Sequence, residues 1–274
     1  MTRLTEQDVR ELAAELPIFE AALRDVTSLD LCQVALRACG VDDDASPLPA
    51  ARMAAVPVSS GLGAIPCFSE CVQVILQHIG CDAFVTERND VEGLQEAVSR
   101  GAEVIFVADD HRFVAINVRR SVCADDDPCT ANGYVAALEA AAGGLAGRDV
   151  LVLGLGPVGR AASRRLVQRG ARVLAAEPDA ERASYAVEAY GVTVVSLVEG
   201  LDKAELVFDA APAPGLIASE WVRAGCIAAV PAVPSGFTPA AQAALGSRHI
   251  HEALALGVAV MAVEALRGTV TPRA

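Results

Sequence analysis

The chain has 274 residues, 53% of them hydrophobic, which is enough for one large core or two joined lobes. Its 35 Asp and Glu residues outnumber 22 Lys and Arg, and the net charge of −13 repels a phosphate backbone; with no basic run to offset it, nucleic acid is not an expected partner. Apolar stretches are broken by Gly, Pro or charge before reaching membrane-spanning length, and the opening MTRLTEQDVRELAAEL lacks a signal-type apolar core, so no membrane partner and a cytoplasmic location are expected.

Apolar residues at Val9, Leu12, Ala13, Leu16 and Phe19 predict an amphipathic helix from Thr5 to about Leu23, with Pro17 expected to break or kink it. A second helix is predicted over Asp30 to Cys39, then an acidic loop from Gly40 to Pro49. Met53 to Ser59, the glycine turn Ser60-Gly61-Leu62-Gly63 and Ser69 to Ile79 read as strand, turn and helix. The pattern recurs with a strand at Ala83 to Thr86, a helix at Val91 to Ser99 and a buried strand at Glu103 to Ala108 that ends on Asp109-Asp110. Alanine-rich Ala131 to Gly143 predicts a long bridging helix.

A second lobe follows, with strands at Asp149 to Leu153, Arg172 to Ala176, Thr193 to Val195, Leu206 to Asp209 and Cys226 to Val230, and helices at Val158 to Arg169 and Ala180 to Tyr190. The last helix, about Glu252 to Leu266, comes after those strands are used up and is a candidate to pack back across the first lobe. The expected fold class is α/β: an N-terminal α/β substrate domain (1–146, with 252–268 joining it) and a C-terminal Rossmann domain (147–251), linked by a long helix. Arg160, Arg164, Arg165 and Arg169 read as a solvated helix face. The eight cysteines contain no CxxC and read as reduced thiols; Cys67, Cys71, His78 and Cys81 were the one spacing to weigh for zinc, and no metal is expected.

Gly154-Leu155-Gly156-Pro157-Val158-Gly159 fits GxGxxG, and its context gives it weight: it follows the β-formers Val150 to Leu153 and opens a helix. The first glycine allows a tight turn, the second a close approach of backbone to pyrophosphate, and the third close packing of helix on strand. Free N–H groups at the helix start then face the phosphates. Glu177, at the end of the next strand, suits both ribose hydroxyls and repels a 2′-phosphate, so the expected cofactor is NAD. Ala211, Pro212 and Pro231 follow later strands and are candidates to flank the nicotinamide; prolines that simply punctuate strand ends explain Pro212 and Pro231 equally well.

In the first lobe Ser59-Ser60-Gly61 could hold a carboxylate, and Asp109-Asp110 an ammonium group, although serines and aspartates also cap helices and turns. His111, His249 and His251 are further acid–base candidates. Glu252 opens the last helix, where an acid is also ordinary.

Val56-Pro57-Val58-Ser59-Ser60-Gly61 with Phe68-Ser69-Glu70, then Ala108-Asp109-Asp110, the glycine loop, Glu252 and Gly257 together resemble the pyrrolysine synthase family over nearly the whole chain. That resemblance implies a two-lobed NAD enzyme acting on the isopeptide of lysine and methylornithine, N6-[(3R)-3-methyl-D-ornithinyl]-L-lysine. Oxidation of its terminal amine to a semialdehyde releases ammonia, and ring closure gives pyrrolysine. The resemblance further implies that Ser60 and Asp109 or Asp110 grip substrate, that Glu252 sits near the reacting amine, that Leu4 helps cover the site, and that the enzyme is a homodimer. Catalytic roles are expected for Glu252 and Asp109. Two other readings share the Rossmann half: a dehydrogenase of small amino or hydroxy acids, and a non-catalytic NAD(H)-responsive regulator.

Overall fold

The structure is a computed structural model that describes residues 6, 9, 12–41, 48, 51–63 and 65–267. It begins with helices α1 (Leu12–Thr27) and α2 (Leu31–Ala38), followed by β1 (Arg52–Val56), α3 (Phe68–His78), β2 (Asp82–Val85), α4 (Asp90–Ser99) and β3 (Val104–Ala108). These strands are parallel, and β4 (Phe113–Asn117) and β5 (Val122–Asp125) extend the sheet antiparallel, in the order β2-β1-β3-β4-β5. Side-chain alternation along β1 sends Met53 and Ala55 into the main core on one face, and Ala54 and Val56 against α4 on the other.

Helix α5 (Asp126–Ala142) leads into β6 (Asp149–Leu153), α6 (Pro157–Gln168), β7 (Arg172–Ala176), α7 (Ala180–Tyr190), β8 (Thr193–Val194), α8 (Leu197–Lys203), β9 (Leu206–Asp209), β10 (Ile227–Val230), α9 (Pro239–Leu245), β11 (His249–His251) and α10 (Ala255–Arg267). The second sheet is parallel throughout, ordered β11-β10-β9-β6-β7-β8. Chain order reverses between β6 and β9, so a crevice opens beyond their carboxyl ends, where the glycine loop follows β6.

The apolar core runs continuously between the lobes because α5 and α10 are buried nearly all round. Helix α10 packs against α5, α2, α3 and the antiparallel strands of the first sheet. Two glycines let α5 and α10 approach: a Cβ at Gly133 would lie 3.1 Å from Val260 Cγ2, and one at Gly257 only 2.3 Å from Thr130 Oγ1. Among the described residues no helix is long and apolar enough to cross a membrane.

Several local expectations need correction. Helix α1 continues through Pro17, because Pro17 lies on the exposed face while Leu12, Leu16, Phe19, Leu23 and Thr27 stay in register on the buried one. The bridging helix starts at Asp126, five positions earlier than its alanine-rich pattern suggested. Asp125 caps it by accepting from Asp127 N at 3.2 Å, and Pro128 falls in the first turn, where a missing N–H costs little. The hairpin of β4 and β5, and the edge strand β11, were not anticipated. The arginine face of α6 is not all solvated. Arg169 makes a bidentate pair with buried Glu139 of α5, with N–O distances of 2.7–3.0 Å, and Arg165 Nη2 donates to Ala38 O at 3.1 Å. Arginine's reach lets it serve as a clamp between helices.

Candidate active site

A cavity of about 850 Å³ lies between the lobes, lined on one side by residues that follow β1, β3 and β5 and on the other by those that follow β6, β7, β9 and β10. The glycine loop forms one wall. Gly154 has φ +78°, and a Cβ there would meet Ala211 Cα at 3.1 Å; at Gly159 it would sit 1.9 Å from Gly154 O, inside the loop itself. A Cβ at Gly156 would meet nothing within 4 Å. The loop is therefore packed tightly from behind and bare toward the crevice, the shape that a pyrophosphate against backbone N–H groups requires.

Gly154, Gly156, Pro157, Val158, Glu177, Ala211, Pro212 and Pro231 all line the cavity. Leu155 and Gly159 stand behind the surface, buried in the loop and helix junction. Glu177 Oε2 accepts from Leu155 N at 2.6 Å and Oε1 from Asp179 N at 3.0 Å, so its carboxylate is held beside the loop. Beyond β9, buried Asp209 accepts from Ala211 N at 3.1 Å and Gly236 N at 2.7 Å, joining the loops that follow β9 and β10. Burial pushes the Asp209 carboxyl up to about 6.

On the opposite wall are Ser60, Asp109 and Asp110. Asp109 Oδ1 accepts from His111 N at 2.8 Å and Arg112 N at 2.7 Å, a turn that holds its carboxyl below the usual carboxylate range and keeps it ionised. Asp110 Oδ2 accepts from Leu62 N at 2.7 Å and comes so near Gly61, where φ is +68°, that a Cβ there would lie 2.1 Å away. Asp110 thus sets the loop after β3 against the loop after β1, while Asp109 closes the turn after β3. Ser59 has a different place: its N donates to Asp90 Oδ1 at 2.8 Å and its hydroxyl to Asp90 Oδ2, and it does not line the cavity. Leu4 lies outside the described residues.

Glu252 sits behind the cavity, whose lining is taken up by the next two residues, Ala253 and Leu254. Glu252 Oε2 caps α10, accepting from Leu254 N at 2.9 Å and from Ala255 N, while its backbone N–H donates to Tyr134 Oη at 3.0 Å and its carbonyl accepts from the same hydroxyl. Burial raises the Glu252 carboxyl to about 7. The histidines after α9 do not reach the cavity. His249 Nε2 lies 3.1 Å from Ser235 Oγ and His251 Nδ1 2.8 Å from Val230 O; burial lowers both, His249 to about 4. His111 does line it.

Sequence reading missed Asp126 and Thr130, the first two polar side chains on the cavity face of α5. Asp126 is 6% exposed, and its Oδ1 accepts from Thr130 Oγ1 at 3.0 Å. The available signal was the acidic run Asp125-Asp126-Asp127 followed by Pro128, a capped helix start that the alanine-rich stretch beyond it obscured. The eight cysteines are free thiols, and among the described residues no three His, Cys, Asp or Glu side chains come together as metal ligands. Cys71 donates to Val9 O, and His78 pairs with Glu20.

Residues 8–124 match the family described as pyrrolysine biosynthesis protein PylD, N-terminal domain, and residues 113–215 match the NAD binding domain of D-isomer specific 2-hydroxyacid dehydrogenases. The chain is 31% identical to the pyrrolysine synthase of Methanosarcina acetivorans, over 95% of this chain and 98% of that protein. It is also 31% identical to the pyrrolysine synthase of Methanosarcina barkeri, over 95% of this chain and 97% of its relative. Among solved structures, the shikimate dehydrogenase of Aquifex aeolicus superposes with a TM-score of 0.53 at 15% identity, covering 79% of this chain and 91% of that one, a likeness of fold.

Proposed function

This chain belongs to the pyrrolysine synthase family, and we propose that it performs that family's reaction, the NAD-dependent oxidation of the terminal amine of the lysine–methylornithine isopeptide. One observation carries the reading: a single cavity has a bare glycine cradle on one wall and Ser60, Asp109 and Asp110 on the other. Residues 147–251 are the cofactor lobe in this reading, and 1–146 with the last helix the substrate lobe.

NAD fits the residues present. Gly154 to Gly159 would hold the pyrophosphate, Glu177 the ribose hydroxyls, and Ala211, Pro212 and Pro231 would flank the nicotinamide, which supplies a hydride acceptor when bound. The protein's own tasks are to bind, orient and keep water out. Asp109, ionised and at the cavity wall, suits an ammonium group of the substrate, and Ser60 with the loop N–H groups suits a carboxylate or carbonyl. Asp110 holds that loop in place. Glu252, raised by burial to about 7, stands near the reacting amine from behind Ala253 and Leu254, where it fixes the start of α10. The semialdehyde then closes on its own α-amine, an intramolecular step favoured by proximity. We further propose that the enzyme works in the cytoplasm as a homodimer.

Purified protein given the isopeptide and NAD is expected to release NADH and ammonia and to form the pyrroline product. NADH formed only from a small hydroxy or amino acid, or from no substrate, overturns the reading.

A further inference from the structure

We propose that Asp126 binds the terminal ammonium of the substrate and accepts its proton, making it a catalytic residue at the floor of the cavity. The proposal rests on the amine-oxidising function given above.

Asp126 lies on the first turn of α5 and is buried, yet it lines the cavity. One oxygen takes the Thr130 hydroxyl; the other has no hydrogen-bond partner among the described residues. A buried carboxylate with neither cation nor donor on one oxygen is unstable, so the position demands a proton or a ligand cation. Among the described residues no side-chain cation fills it, and the one cation acting on Asp126 itself, the chain's α-ammonium, only partly offsets its burial. Arg112, in the turn before β4, is engaged by Asp125 at 2.5 Å, Arg160 of α6 acts on Asp127, and the other charged side chains acting here among the described residues are the acids Asp125, Asp127 and, across Tyr134, Glu252. Its remaining neighbours Cys129 and Tyr134 are held neutral by burial.

The fold protects this arrangement from crowding. Helix α10 crosses at Gly257, where a Cβ would stand 2.3 Å from Thr130 Oγ1 and 2.7 Å from Asp126 Oδ1. Any other residue there would press on the pair, whereas glycine leaves the carboxyl free to turn its second oxygen toward a ligand. Glu252 is the competing acid, but it spends Oε2 on two backbone N–H groups and does not line the cavity.

The chemical step is a proton transfer without electrons: an N–H bond of the alkylammonium breaks, an O–H bond forms on Asp126, and a neutral amine with a free lone pair remains. Hydride can leave the neighbouring carbon only from that neutral form. Burial, the dominant cause, raises the Asp126 carboxyl to about 7. Against an alkylammonium near 10.4, the transfer is then uphill by about three units rather than about six, which increases the share of free amine by roughly a thousandfold.

The test compares the full chain with its Asp126→Asn variant, using the isopeptide and NAD. Wild type should show a kcat that rises with pH through about 7. Asp126→Asn should lose about a hundredfold in kcat together with that limb. It should also bind the isopeptide about tenfold more weakly by calorimetry without cofactor, while NADH affinity, read by fluorescence, is unchanged. Thr130→Val keeps the carboxyl but removes a hydrogen bond that favours its ionised form, so the limb should move to higher pH. Should Asp126→Asn fail to fold, that displacement decides the matter. An Asp126→Asn enzyme within about threefold of wild type, or a limb unmoved in Thr130→Val, overturns the assignment. If wild type itself makes no NADH from the isopeptide, the functional reading fails instead.

Discussion

The two lobes prepare their walls of the cavity by different means. The cofactor wall is made of backbone: three glycines within six residues, whose value lies in lacking a Cβ, at the start of α6. The substrate wall is made of side chains drawn from the ends of β1, β3 and β5. Backbone recognition suits a cofactor whose phosphates are always the same, and its rules are local. Side-chain recognition suits one particular substrate, and it depends on which distant turns the sheet brings together. The difference predicts that insults to the cofactor wall are steric and act on binding, whereas insults to the substrate wall are chemical and depend on pH.

Gly159→Val is the largest test. Its Cβ would stand 1.9 Å from Gly154 O, so helix and loop must separate. NADH affinity should fall by a hundredfold or more and stability by about 3 kcal/mol, as fluorescence titration and urea unfolding would show. A variant that still binds NADH well would break the claim that backbone packing builds this wall.

Asp126→Asn should do the reverse to stability. Its folded carboxyl titrates at about 7, above the ordinary 3.8, so the folded state holds a proton that the unfolded state has lost between those values. Stability from this group is therefore present at low pH and is lost as pH rises from about 4 to about 7. The neutral amide escapes that loss. At pH 8 the variant should be more stable by roughly 2–4 kcal/mol, melting several degrees higher, and the gap should close toward pH 4. An equal gap at both pH values would mean that the carboxyl is not held neutral by burial.

Glu139→Ala probes the joint between the lobes. It removes the partner of Arg169 from the face of α5 and should cost about 2 kcal/mol in thermal or urea unfolding, with NADH affinity little changed. Smallest is Glu177→Ala, expected to weaken NAD about tenfold while improving NADP, since the carboxylate beside the loop is what discriminates against a 2′-phosphate.

Legibility in the sequence follows the same division. The glycine loop, Glu177 and the strands around them could be read in order, because each depends on neighbours a few positions away. That α1 is not broken at Pro17 was not legible, because propensity says nothing of which face is wet. The β4–β5 hairpin escaped because its strands are short and one side is only half-buried. Ser60, Asp109 and Asp110 were visible as residues at strand ends, but not the way Asp110 braces the Gly61 turn or Asp109 closes its own. Arg165 and Arg169 were read as solvated because helix spacing cannot reveal that Ala38 and Glu139 stand opposite.

By itself the sequence determined the α/β class, the cofactor cradle with its preference for NAD, and, through motifs spread along the chain, the family. Periodicity, turn chemistry and the absence of a Cβ act over a few residues, and any reader of the chain can find them. Only the tertiary structure decided that the last helix returns to cross α5 at Gly257, and so that Asp126 is a carboxyl buried at the cavity floor rather than one acid among three at a helix start. The reason is physical: a group's proton affinity is set by what covers it, and the cover here comes from a helix far along the chain.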